Sequence, residues 1–194
     1  MLVADVLTVI GRPARGFAAV AGRRLLPSVT LVVCTGLAAL GLSVAASVLE
    51  PDAPTRSADV GFSLALPVLF VGFWVIDALI VDAVAQLMGA RPRLRSWLAA
   101  SAYAMPLLVL YGGVRLLQAL LDRGGQQDVG IAVGYADLAV LGWFLCLIAI
   151  GIRGVYGLPG ISAFAAALAP PASMATLLVF LLVVVSVLHL AGAG

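Results

Sequence analysis

One stretch constrains this chain more than any other. Residues 62–88 form an apolar run that nevertheless contains two carboxylates, Asp77 and Asp82. A helix needs ~20 apolar residues to cross a bilayer core, so the run is long enough. An aspartate at mid-helix costs roughly 2.5–3.5 kcal/mol on insertion scales. The short loop that follows carries Arg91, Arg93 and Arg95. A run that keeps two acids in lipid and then places arginines beside its end is organised around a membrane. The composition agrees. Hydrophobic residues make up 63% of the 194 and charged residues 10%, against about 25% in an average globular domain. That is too little polar surface for a water-soluble fold of this size.

Four further runs have the length and apolarity of spans: residues 25–49, 98–121, 129–152 and 174–190. With no water in the bilayer core, each must satisfy its own backbone groups, so the expected fold is all-α. The reading is a polytopic integral membrane bundle of five transmembrane helices, residues 25–194, preceded by an amphipathic cytoplasmic segment, residues 1–24. In that segment Val3, Val6, Leu7 and Ile10 fall at helical spacing, and Phe17 and Val20 continue the apolar face beyond Pro13. One or two short helices on the membrane surface are expected, their arginines towards anionic headgroups. The apolar run that follows is too long for a cleavable signal peptide. Gly36 and Gly41 are expected to let a neighbouring helix approach the first span closely. Pro67 is expected in the first turns of the second, where a missing N–H costs least. Pro106 and Gly112-Gly113 predict a kink or local unwinding in the third. Residues 50–63, with Pro51, Pro54 and three acids, read as a polar connector. Glycines and Pro159 around residues 151–160 are expected to stop the fourth span. A short interfacial helix over residues 161–168, stopped by Pro170-Pro171, is expected to follow.

The arginines set the orientation. Every basic residue is Arg, which with the Ala, Gly, Leu and Val content hints at a GC-rich, bacterial genome. Five spans place Arg12, Arg15, Arg23, Arg24, Arg91, Arg93, Arg95 and Arg153 on one side, and Arg56 and Arg123 on the other. The positive-inside rule then makes the N-terminus cytoplasmic and the C-terminus extracytoplasmic.

Four charges lie within spans: Asp77, Asp82, Arg115 and Asp137. They form the candidate intramembrane polar site. At 1.5 Å per residue, Arg115 and Asp137 lie about 9 and 12 Å inside the outer ends of their spans, so the two can pair. Asp82 lies about 9 Å from the inner end of its span, within reach of the basic inner-face loop Arg91, Arg93 and Arg95. Asp77 is nearest the middle, and no partner for it can be named. Trp74, Tyr103, Tyr111 and Trp143 read as packing residues or interface anchors.

Little here points to catalysis. Asp77 and Asp82 project roughly 140° apart on one helix and make no dyad. Ser162 lacks the glycine that completes a nucleophile elbow. His189 is the only histidine, and Cys34 and Cys146 read as reduced packing residues, so no metal ligand set and no cofactor are expected. The expected protein is non-enzymatic and organises membrane or partner proteins through helix–helix and lipid contacts. Its expected partners are anionic lipid headgroups at the basic inner face and a second copy or another membrane protein, with no nucleic acid. The alternative is a small-solute or ion transporter or channel subunit with a polar site around Asp77, Arg115 and Asp137.

The basic loop leads into Ser101-Ala102-Tyr103-Ala104-Met105-Pro106. The glycine-containing loop followed by a Tyr-x-x-Pro element resembles the Yip domain family, the Ypt-interacting five-span membrane proteins. Trp143, Gly151 and Ile152 in the fourth span, and Arg12-Pro13 and Phe17 before the first, are similar to bacterial members. The resemblance implies Tyr103 and Pro106 as family-like positions and a five-span fold without established catalytic residues. Eukaryotic relatives act in membrane trafficking and bind Rab-type GTPases, reticulon-like proteins or each other. The long acidic-motif region that precedes their spans has no counterpart among residues 1–24, so a Rab partner is not expected.

Overall fold

The computed structural model describes residues 2–49 and 57–192. Among them the only regular elements are eight α-helices, in the order α1 (Leu2–Gly11), α2 (Pro13–Val20), α3 (Leu25–Leu49), α4 (Ser57–Leu87), α5 (Leu94–Ser101), α6 (Leu107–Arg123), α7 (Gln127–Tyr156) and α8 (Gly160–Gly192). Four are long and apolar enough to cross a membrane, through windows Leu25–Leu42, Val68–Leu87, Asp128–Tyr156 and Gly160–Leu182. At 17 residues, α6 falls just short of that length. Half of the connector expected over residues 50–63, residues 50–56, lies outside the described residues, while Ser57 already begins α4. Pro67 therefore lies inside α4, past its first turns.

The N-terminal segment is a pair of helices folded back on each other. Pro13 opens α2, where its fixed φ suits a first helical turn. A Cβ on Gly16 would stand 2.6 Å from the Val9 backbone, so a glycine is what lets α2 cross α1 this closely. The Arg23 guanidinium donates to both Asp5 oxygens, at 2.5 and 2.9 Å, and closes the pair. The pair is not laid on the surface alone. Val9, Phe17 and Val20 are buried in the main core, with Phe17 seated against Gly151 of α7.

That core sits where α1, α2, α5, the end of α7 and the start of α8 meet the second half of α4. Its largest buried side chains include Trp97, Tyr103, Phe17, Leu147 and Ile152. Ala163, Ala166 and Ala167 supply a seam of small residues by which α8 approaches its neighbours. Of the two glycines expected to permit close approach in α3, Gly36 does so, since a Cβ there would stand 3.0 Å from the Phe70 ring, whereas Gly41 faces open space.

Residues 98–121, expected as one span with a kink or local unwinding, are α5, a turn and α6, so the unwinding expected at Pro106 is found and two further local expectations are corrected. The break lies at residues 102–106, where N–H groups bond three residues back: Tyr103 to Ala100, Ala104 to Ser101 and Met105 to Ala102. Pro106 offers no N–H and disfavours helix in the residue before it. Gly112-Gly113, by contrast, stay helical. The broken backbone is covered by protein: Ala102 to Met105 are all buried. Next, α7 runs through Gly151 and Gly154 and stops only at Gly157, whose φ of 72° makes a left-handed cap donating to Arg153 O. Finally, Pro170 and Pro171 do not end a short helix; α8 passes through both. Each proline removes one bond to the carbonyl four residues back, a smaller loss in lipid than unwinding the chain.

Candidate functional site

The four charges of the candidate polar site fall into three separate settings. Asp82 is buried at the end of α4, and the chain turns around it. One turn, through Gly89 with φ 88°, brings the Arg93 backbone N–H to Asp82 Oδ1 at 3.0 Å. The other, between α7 and α8, brings the Tyr156 hydroxyl to the same oxygen at 2.7 Å. Gln86, one turn on, donates to Oδ2 at 2.7 Å. The Arg93 guanidinium does not pair with Asp82. It donates to Val155 O at 2.8 Å and so ties the α4–α5 turn to the end of α7 a second time. Arg91 and Arg95 are exposed.

Arg115 and Asp137 form an ion pair between α6 and α7, 3.0 Å from Nε to Oδ2. Arg115 also donates to the Tyr111 hydroxyl at 3.2–3.3 Å and lies 5.6 Å from the centroid of that ring. The other Asp137 oxygen is buried, with no hydrogen-bond partner among the described residues.

Asp77 lines a partly open cavity of about 380 Å³ between α4, α5, α7 and α8. Trp74, Trp97, Met105 and Phe144 supply apolar wall, and Pro170-Pro171 the α8 side. Arg115, Asp137 and Asp82 are not among the lining residues. The Asp77 carboxylate has no hydrogen-bond or ion-pair partner among the described residues.

Tyr103 and Pro106 bracket the buried turn between α5 and α6. Trp74 Nε1 donates to Ser101 Oγ at 3.0 Å, and Ser28 Oγ donates to Ala99 O at 3.1 Å, so α4 and α3 hold the end of α5 where its own ladder stops. Tyr103 is fully buried and its hydroxyl has no partner among the described residues. The family comparison spans this turn and the helices on both sides: the Yip1 domain matches residues 7–188. The chain belongs to the Yip1 domain family. No curated protein matches the chain. No solved structure matches it either.

Within this Yip1 domain four arginines, Arg12, Arg15, Arg93 and Arg153, come together around the start of α2 and the end of α7. Arg12 and Arg15 at the start of α2 and Arg153 near the end of α7 line one open cleft of about 950 Å³. Arg93 reaches Val155, two residues from Arg153. Cys34 and Cys146 are free thiols on exposed helix faces and do not pack the core; a thiol is apolar enough for an outward face of an apolar bundle. Trp143 is also exposed, while Trp74 and Tyr103 are buried. Among the described residues no group of His, Cys, Asp and Glu is placed to hold a metal ion.

The residues that sequence reasoning missed are Tyr156, Val155 and Gln86 around Asp82, and Trp97 beside Asp77. Gln86 was legible, four residues from Asp82 on one helix face. The others come from helices remote in sequence and carry no local signal.

Proposed function

We propose that this chain is a non-enzymatic, bacterial-type Yip1 domain protein of the inner membrane that organises membrane or partner proteins through helix–helix and lipid contacts. In this reading α5, its buried turn and α6 cross the bilayer together, which makes five spans. The arginine-bearing end is cytoplasmic, and the C-terminus lies on the opposite side. The arginine cleft and the exposed Leu2, Val3 and Leu7 of α1 suit contact with anionic headgroups and the acyl boundary beneath them.

One observation carries the reading. Leu177 to Leu182 of α8 are each 50–65% exposed, so no described helix covers any face of that stretch. A membrane helix bare on all sides meets lipid or another protein. A transport route through Asp77, Arg115 and Asp137 is not favoured, because the last two pair with each other and do not line the Asp77 cavity.

The experiment uses single cysteines in a background lacking Cys34 and Cys146. Leu178→Cys is expected to give a crosslinked pair of chains, or a crosslink to a co-purifying protein, on oxidation in native membranes. Arg91→Cys should react with an impermeant maleimide only from the cytoplasmic side, and Gly192→Cys only from the other. A strictly monomeric chain without bound lipid by native mass spectrometry would remove the organising role. Labelling of both cysteines from one side would replace five spans with four.

A further inference from the structure

The Asp77 cavity has the size of a small-molecule site, about 380 Å³. Its walls are apolar and aromatic apart from Asp77 and Ser101. The Ser101 hydroxyl is engaged already, accepting from Trp74 Nε1 at 3.0 Å and facing Leu98 O at 3.5 Å. The Asp77 carboxylate is therefore the polar group left for a ligand. A carboxylate without a partner in apolar surroundings is costly, and a cation placed against it relieves that cost. Trp74, Trp97 and Phe144 in the lining supply aromatic rings, which attract a cation bound over their faces. Ala167 also lines the cavity, and Pro171 deprives its carbonyl of the usual donor four residues on, which adds a candidate acceptor.

The same walls say what is refused. Among the described lining residues there is no arginine. A phosphate, sulfate or carboxylate would meet Asp77 with no cation to offset it. A zwitterionic phospholipid brings a phosphate with its amine and is excluded on that ground. We propose that this cavity binds a lipophilic monoamine, its ammonium against the Asp77 carboxylate and its hydrocarbon body against Trp74, Trp97, Met105 and Phe144.

The test uses the full chain in detergent micelles and the two cavity tryptophans as reporters. Trp143→Phe removes the tryptophan that lies outside the cavity lining. The probe is ω-bromoundecylamine, whose bromine quenches nearby indole fluorescence. Quenching is expected to saturate and to be reversed by undecylamine, but not by undecanol, undecanoate or lysophosphatidylethanolamine. Asp77→Asn should raise the half-saturating concentration about tenfold or more, and Asp77→Glu should restore most of the affinity. Quenching that never saturates, equal competition by undecanol, or an unchanged half-saturation in Asp77→Asn would overturn the site. Competition by lysophosphatidylethanolamine as strong as by undecylamine would overturn the monoamine class. Should Asp77→Asn fail to fold, the competition series on the parent chain decides alone.

Discussion

Asp77 and Asp82 sit on one helix, five residues and roughly 140° apart, and their surroundings differ completely. Asp82 points to where two chain reversals meet. There it collects a backbone N–H from Arg93, a hydroxyl from Tyr156 and an amide from Gln86. Asp77 points between α5, α7 and α8, where the walls are indole, phenyl and alkyl and no partner is found among the described residues. Chain reversals leave N–H groups outside the helical ladder, and those groups can serve a buried carboxylate. Mid-helix walls have already spent theirs. A charge near a helix end can therefore be structural, while the same residue at mid-span is left open to a ligand.

The largest expected effect breaks the comparison on the Asp82 side. Asp82→Ala leaves a buried hydroxyl and a backbone N–H without their acceptor, and should cost about 3 kcal/mol or more of stability in detergent. Chemical unfolding followed by tryptophan fluorescence measures it, and a cost below that of an ordinary surface substitution would deny Asp82 its structural role. Tyr156→Phe is milder. It removes a single donor and keeps the ring against Trp97, 6.3 Å between centroids, so about 1–3 kcal/mol is expected in the same assay. Asp77→Asn should cost least, no more than about 0.5 kcal/mol against the parent, because no bond is lost and an unpartnered carboxylate in apolar surroundings is neutralised. A cost for Asp77→Asn equal to that of Asp82→Ala would erase the distinction between the two carboxylates.

Part of this was legible in the chain. The loop with Arg91, Arg93 and Arg95 was legible as lying within reach of Asp82, but the spacing pointed to an arginine side chain, whereas the structure uses the Arg93 backbone N–H and sends the guanidinium to Val155. Arg115 and Asp137 were matched by depth alone, and they do pair. Pro106 signalled a distortion without saying whether the helix would bend or part. It parts because Trp97, Tyr103 and their neighbours bury the broken backbone. Pro170-Pro171 read as a stop because prolines stop helices in water, where a freed carbonyl finds solvent.

The sequence by itself determined the helical class, the membrane setting and the family, because each follows from apolar run length, charge placement and short motifs along the chain. Only the tertiary structure decided which carboxylate is tied and which is open. Donors for Asp82 come from α5 and α7, and the cavity at Asp77 exists only where α4, α5, α7 and α8 fail to fill the space between them. Both depend on contacts between helices far apart in sequence, and those contacts leave no periodic trace in any one helix.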